Sequence, residues 1–263
     1  LLTGVSAIPV FFTLFRGLQK PILRRFSLSM AGVPPGGLKI AHVTDMHTGY
    51  FFGPSQVRAL RDTLNSLDAD LICLTGDQLH NTHGPFLTQL KENIGPLHAS
   101  LGVFQVAGNH DHRLGKEHLF RELAKVGIVA LDDRAVTLTK NGVPFQVIGI
   151  DDLNYGGDLE RAMATLGEGR FRLLLSHRPR VLTEASQYNI SLILAGHTHG
   201  GQMCIGKLCP SLFETPYTYG FYKEASTTLF VSSGAGTTGP PMRLFAPSEI
   251  VLFEISPEVP KNE

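Results

Sequence analysis

Short runs of consecutive apolar residues alternate along this chain with stretches whose apolar positions recur every three to four residues. The first pattern reads as a strand buried on both faces and the second as an amphipathic helix. Residues 38–44 predict a buried strand, and 55–67 a helix with Val57, Leu60, Leu64 and Leu67 on one face. Further strands are expected at 70–75, 102–107, 171–175, 191–195, 228–232 and 250–255, and further helices at 85–94, 116–126, 159–166 and 180–188. Segments 136–139 and 144–150 flank Asn141-Gly142, a pair that tolerates the positive φ of a two-residue hairpin turn. The turn cluster Pro34-Pro35-Gly36-Gly37 divides this pattern from what precedes it. Repeated strand–helix units with added hairpins predict a layered α/β sandwich with mixed sheets.

Length and composition add bounds. The 263 residues suffice for one large domain, and 43% hydrophobic against 17% charged residues argues against disorder. Lys plus Arg and Asp plus Glu stand at 23 each, so no bulk charge invites nucleic acid, and none is expected as a partner. Cys73 lies in an apolar run and reads as a reduced core residue; Cys204 and Cys209 are preferred as free thiols over a disulfide or a metal pair. The expected organisation is an apolar then basic segment over 1–25, followed by one domain over 26–263. Residues 1–15 carry no charge, and Arg16, Lys20, Arg24 and Arg25 follow. That stretch is shorter than the roughly 20 residues that span a bilayer. It reads as part of a membrane-spanning helix with basic residues at its cytoplasmic end, as an interfacial anchor, or as a helix packed on the domain itself.

The candidate chemistry sits where buried strands end. The runs at 40–44, 71–75, 103–107, 173–175 and 192–195 lead into Asp45-Met46-His47, Gly76-Asp77, Gly108-Asn109-His110-Asp111, Ser176-His177 and Gly196-His197-Thr198-His199. Ligand sites of α/β sheets lie beyond the carboxyl ends of strands, so all five clusters can share one rim. Each alone has a blander reading, as a turn, a surface pair or a hydrogen-bonded structural histidine. Five in succession at the same kind of position are poorly explained by turn chemistry. The mixture of oxygen and imidazole donors suits Mn²⁺, Fe or Zn²⁺, and the lack of thiolates argues against a structural zinc site.

These motifs resemble the calcineurin-like metallophosphoesterase superfamily across residues 45–199. The resemblance implies a four-layer αββα metallophosphoesterase sandwich with two mixed β-sheets around two divalent metal ions, Mn²⁺ in first place. It puts Asp45, His47 and His199 on the first ion, Asn109, His177 and His197 on the second, and Asp77 between them. Such ions, about 3.5–4 Å apart, acidify a shared water and clamp phosphate oxygens, with His110 as general acid. Many members carry a second Asp three residues after the bridging one, which orients the catalytic histidine. Here that position is His80, so either Asp111 takes over the role or His110 is less well tuned.

A narrower resemblance, over about residues 26–256, is to the membrane-associated bacterial subgroup. It rests on Leu38-Lys39-Ile40, Gly200-Gly201-Gln202, the 232–239 segment, Arg243 and Pro247-Ser248-Glu249-Ile250. Some members cleave phosphodiesters and some cleave UDP-2,3-diacylglucosamine in lipid A synthesis. The implied reaction is hydrolysis of a phosphodiester or pyrophosphate bond, on a lipid-linked substrate in the narrower form, by a domain at the cytoplasmic face of an inner membrane. Phosphomonoesterase, nuclease and non-catalytic scaffold readings stand as alternatives. Asn109, Arg243 and the 234–239 segment are expected to contact substrate phosphate; a structural turn with a surface arginine is the competing reading. His42, His80, His83, His98, His112 and His118 are weaker candidates. Tyr217, Tyr219, Phe221 and Tyr222 form an aromatic cluster suited to a lipid, a base or ordinary packing.

Overall fold

Apolar runs that fill both faces of a strand require a cover on each side, and this fold supplies it twice. The computed structural model describes residues 17–80, 85–202 and 214–258. The apolar 1–15 segment, His83, Cys204 and Cys209 lie outside them. In chain order the strands are β1 (Ile22–Met30), β2 (Leu38–Val43), β3 (Leu71–Thr75), β4 (Gly102–Val106), β5 (Ile128–Ala130), β6 (Arg134–Lys140), β7 (Val143–Gly149), β8 (Arg172–Leu175), β9 (Leu192–Ala195), β10 (Gly220–Glu224), β11 (Thr227–Val231) and β12 (Glu249–Pro257). They form two six-stranded sheets, ordered β1-β12-β2-β3-β4-β5 and β10-β11-β9-β8-β7-β6. Both are mixed: β2 to β5 run parallel but β12 pairs antiparallel with β2, and β7, β8, β9 and β11 run parallel between antiparallel β6 and β10.

Three apolar cores give the layers. One lies between the sheets and joins Ile40, Leu71 and Phe253 to Phe145, Leu173 and Leu194. A second packs helices α1 (Pro54–Asn65), α2 (Phe86–Ile94) and α4 (Lys116–Ala124) on the outer face of the first sheet. A third covers the second sheet with α5 (Leu159–Met163) and the segment holding α6 (Leu182–Ala185). The result is the expected helix–sheet–sheet–helix sandwich.

Several local expectations change. The 180–188 helix is three short pieces, two 3₁₀ turns around α6. Asn109–Leu114 forms a short helix, α3, where a loop was implied. The sheet begins at Ile22, upstream of the expected boundary at residue 26, because β1 pairs in parallel with β12 from Ile22 to Met30. Phe26, Leu28 and Met30 alternate toward the inter-sheet core, with the Phe26 ring stacked on Phe253, tilted against Phe230 and edge-on to Phe221. Phe221 therefore belongs to β10, where its exposed ring packs edge-on against Phe26 and Phe230, while Tyr217 and Tyr222 pack together on the third core. Cys73 is buried and free, as expected. No helix among the described residues is long and apolar enough to cross a membrane.

At the amino ends of the parallel strands the sheets are tied by charge. Asp70 accepts from Lys39 N (2.8 Å), Ser100 Oγ (3.0 Å) and Lys140 Nζ (2.5 Å), the last from the far sheet.

Candidate metal centre

The carboxyl ends of β2, β3 and β4 in one sheet and β8 and β9 in the other meet at the opposite end of the sandwich. The loop after β2 zips onto the loop after β3: Asp45 N, His47 N and Thr48 N donate to Gly76 O, Asp77 O and Gln78 O at 3.0, 2.9 and 3.0 Å. This register holds side chains inward at the expense of backbone comfort. Asp45, His47, Asp77, His197 and His199 all have φ between 45° and 71°. Left-handed non-glycine residues are uncommon and cost about 1–3 kcal/mol each, so their concentration on expected ligands marks a functional constraint.

Asp45, His47 and His199 form one buried group of donors, with ligand atoms within 4.8 Å of one another. His47 Nε2 lies 3.0 Å from His199 Nε2, and Asp45 Oδ1 lies 3.8 Å from the first of these nitrogens and 3.3 Å from the second. Asp45 Oδ2 is engaged by Thr44 Oγ1 and His197 N, while the buried Oδ1 has no hydrogen-bond partner. Two imidazoles meeting through ring nitrogens need a proton or a cation between their lone pairs, and an unpaired buried carboxylate oxygen needs a positive partner. The group fits a divalent ion on both counts.

The second group repeats the arrangement. His177 Nε2 lies 3.1 Å from His197 Nδ1, and His177 Nδ1 donates to Thr75 O at 2.9 Å, which fixes the inward nitrogen. Asp77 Oδ2 is 3.4 Å from His177 Nε2 and 3.6 Å from His47 Nε2, so one oxygen faces both groups. Its Oδ1 accepts from His110 N at 2.8 Å. Asn109 opens α3 beside this group; its Oδ1 receives Arg178 Nη2 at 3.3 Å.

The electrostatics of Asp45, Asp77, His197 and His199 favour cation binding. Burial opposes charge on Asp45 and Asp77, yet the surrounding imidazoles outweigh it and hold both carboxyls below their usual range. Burial pushes His199 down to about 3 and His197 down to about 2, keeping neutral the form that ligates metal. For His177 burial acts the same way, but Asp77 prevails and raises it to about 10.

Two expected roles need correction. Asp111 does not orient His110. It is buried and accepts from Gly108 N (2.9 Å) and Leu79 N (3.3 Å), capping α3 and bracing the loop after β3; burial and Asp77 push it up to about 8. Arg243 is not a surface group in reach of solvent: it is fully buried and donates to the carbonyls of Ser233 (2.8 Å), Gly234 (3.3 Å), Gly236 and Ala246 (2.7 Å). It clamps the glycine-rich segment from beneath, where no phosphate contact is on offer. His110, half-buried, has its ring 4.7 Å from that of His47 and Nδ1 3.1 Å from His80 O. The sequence reading missed Arg178, which adjoins both His197 and Asn109, Glu214, which adjoins His197, and Asp152, which pairs with Arg178; the adjacency of Arg178 to His177 was the available signal. Of the weaker histidines, His42 bonds Thr75 Oγ1 inside the sheet, and His112 bonds Asp151 and stacks on Tyr155.

Residues 38–201 match the family model described as calcineurin-like phosphoesterase. An uncharacterized metallophosphoesterase of Aquifex aeolicus is 30% identical over 264 residues, covering 94% of this chain and 97% of its own length. A Danio rerio protein named transmembrane protein with metallophosphoesterase domain is 29% identical over 94% of this chain, which spans only 60% of it. Among solved structures, the sulfate thiohydrolase SoxB of Thermus thermophilus superposes with a TM-score of 0.51 at 13% identity, over 85% of this chain and 57% of that one, a likeness of fold alone.

Proposed function

This chain belongs to the calcineurin-like phosphoesterase family, and we propose that it hydrolyses phosphodiester or pyrophosphate bonds at a centre of two divalent cations, Mn²⁺ in first place with Zn²⁺ or Fe as alternatives. The observation that carries the reading is the convergence of two donor groups on one Asp77 oxygen. Asp45, His47 and His199 would hold one ion, Asn109, His177 and His197 the other, and Asp77 both. When bound, such a pair supplies an acidified water and neutralises charge on the phosphoryl oxygens. The protein's own part is positioning and proton management. The His80 carbonyl accepts Nδ1–H of His110, so Nε2 is the ring atom that would carry the second proton of the imidazolium and pass it to the departing oxygen. Bis-p-nitrophenyl phosphate should be cleaved with Mn²⁺ and spared after chelation; wild-type protein that takes up no metal under replete conditions would sink the proposal.

A narrower reading makes the substrate a lipid-linked pyrophosphate at a membrane, with the domain on the cytoplasmic face. It is supported by the uncharged 1–15 segment with its basic flank and by the transmembrane name of the Danio rerio relative. Mass analysis of UDP-2,3-diacylglucosamine after incubation tests it: cleavage of simple diesters with this compound untouched rejects the narrower form alone.

A further inference from the structure

Outside the donor groups, three charged side chains lead outward in a line. Buried Asp152 accepts Arg178 Nε at both carboxylate oxygens, 2.9 and 2.8 Å. Arg178 Nη1 pairs with Glu214 Oε1, and Glu214 Oε2 lies 2.8 Å from His197 Nε2. The turn carrying Glu214 is itself anchored. Thr198, between the two histidines of the last motif, donates from Oγ1 to Thr218 O at 2.6 Å, and Thr218 N and Tyr219 N donate to Tyr222 OH.

His197 offers Nδ1 to the donor group and Nε2 to this line. An imidazole that gives the Nδ1 lone pair to a cation must keep its proton on Nε2, and that N–H needs an acceptor. Glu214 Oε2 is an acceptor; Arg178 Nη1, 2.9 Å from the same nitrogen, is not. We infer that Glu214 is a positioning residue for His197, fixing the Nε2–H tautomer so that Nδ1 faces the centre, while Arg178, anchored on Asp152, holds Glu214 in place. The inference rests on the metal-centre reading above. It also gives a reason for the Asp152–Arg178 pair, since a buried ion pair is weak evidence of stability in itself. Partners of this outer kind typically govern metal affinity by about 10–100-fold.

Glu214 is exposed, so substitutions there leave the core intact. The test uses the full chain as wild type, Glu214→Ala, Glu214→Gln and His177→Ala, titrated with Mn²⁺ against a competing chelator. Long-range ¹H–¹⁵N spectra of the histidine rings in the metal-free proteins give a second readout. Glu214→Ala should weaken one of two ions by about 10–100-fold and abolish the single Nε2–H tautomer of His197. Glu214→Gln, which keeps a carbonyl acceptor, should recover most of both. If His177→Ala loses an ion while Glu214→Ala changes neither affinity nor tautomer, the inference falls and the metal centre stands. Failure of the wild type to bind any ion overturns both.

Discussion

The Nδ1 of His110 lies 3.1 Å from the main-chain carbonyl oxygen of His80. If His110 is the general acid proposed above, the main chain of residue 80 supplies the acceptor that orients its ring, and the His80 imidazole is expected to be dispensable. His80→Ala should keep kcat on bis-p-nitrophenyl phosphate within a few-fold of wild type. His110→Ala should lower kcat by about 10²–10⁴-fold with unchanged metal content. A collapse of activity in His80→Ala would reassign the orienting role to the side chain.

Asp77→Ala removes the oxygen that faces both donor groups. Bound metal, measured by elemental analysis, should drop below that of the His110 variant, and turnover should vanish with it. Retention of two ions in Asp77→Ala would disprove the shared-oxygen arrangement.

Gly196 is held to hydrogen as a side chain, since a Cβ there would overlap Asp45 Oδ2 and Thr44 Oγ1. Gly196→Ala should displace the Asp45 carboxylate and cost roughly 10²-fold in kcat/KM, while the protein still melts cooperatively. Unchanged kinetics would show that Asp45 can shift freely.

Asp70 supplies a pH-dependent tie between the sheets. Burial raises its pKa, but hydrogen bonds from Lys140, Lys39 N and Ser100 and the charge of Lys140 outweigh this and lower it. A carboxyl depressed in the folded state stabilises above its unfolded value, about 3.9, and that contribution is lost as pH falls through the folded value. Urea midpoints of wild type and Asp70→Asn should differ at pH 7 and draw together as the pH falls below the unfolded value; a gap unchanged in acid contradicts the assignment.

Arg243 tests structure against substrate contact. Arg243→Ala strands several buried carbonyls and should destabilise by about 3–5 kcal/mol, with KM little changed in whatever folds. Arg243→Lys should rescue poorly, because one ammonium cannot reproduce the planar fork. A raised KM with an unaltered melting temperature would restore the phosphate-contact reading.

The strands that carry the centre were legible because they are covered on both faces: β3, β8 and β9 are apolar runs with polar residues only at their ends, and β2 departs from this only at Lys39 and His42. β1 was not, since Arg24 and Arg25 interrupt the run and leave only the alternation of Phe26, Leu28 and Met30. Asp111 misled by adjacency: on a helix, neighbours in sequence point about 100° apart, so it could not face His110 once α3 formed. The His80 carbonyl has no side-chain signature, and Glu214 reaches His197 through a turn whose approach depends on the fold around Thr198.

The two sheets are clasped at both ends. At one, Asp70 and Lys140 bond across the sheets; at the other, the donor groups draw from both leaves, Asp45 and His47 with His199, and Asp45 and Asp77 with His177. An ion in either group is a rivet through the sandwich, so occupancy becomes a component of folding free energy, about 2.7 kcal/mol at a hundred times Kd. Heat tolerance and resistance to proteases would then rise and fall with metal supply.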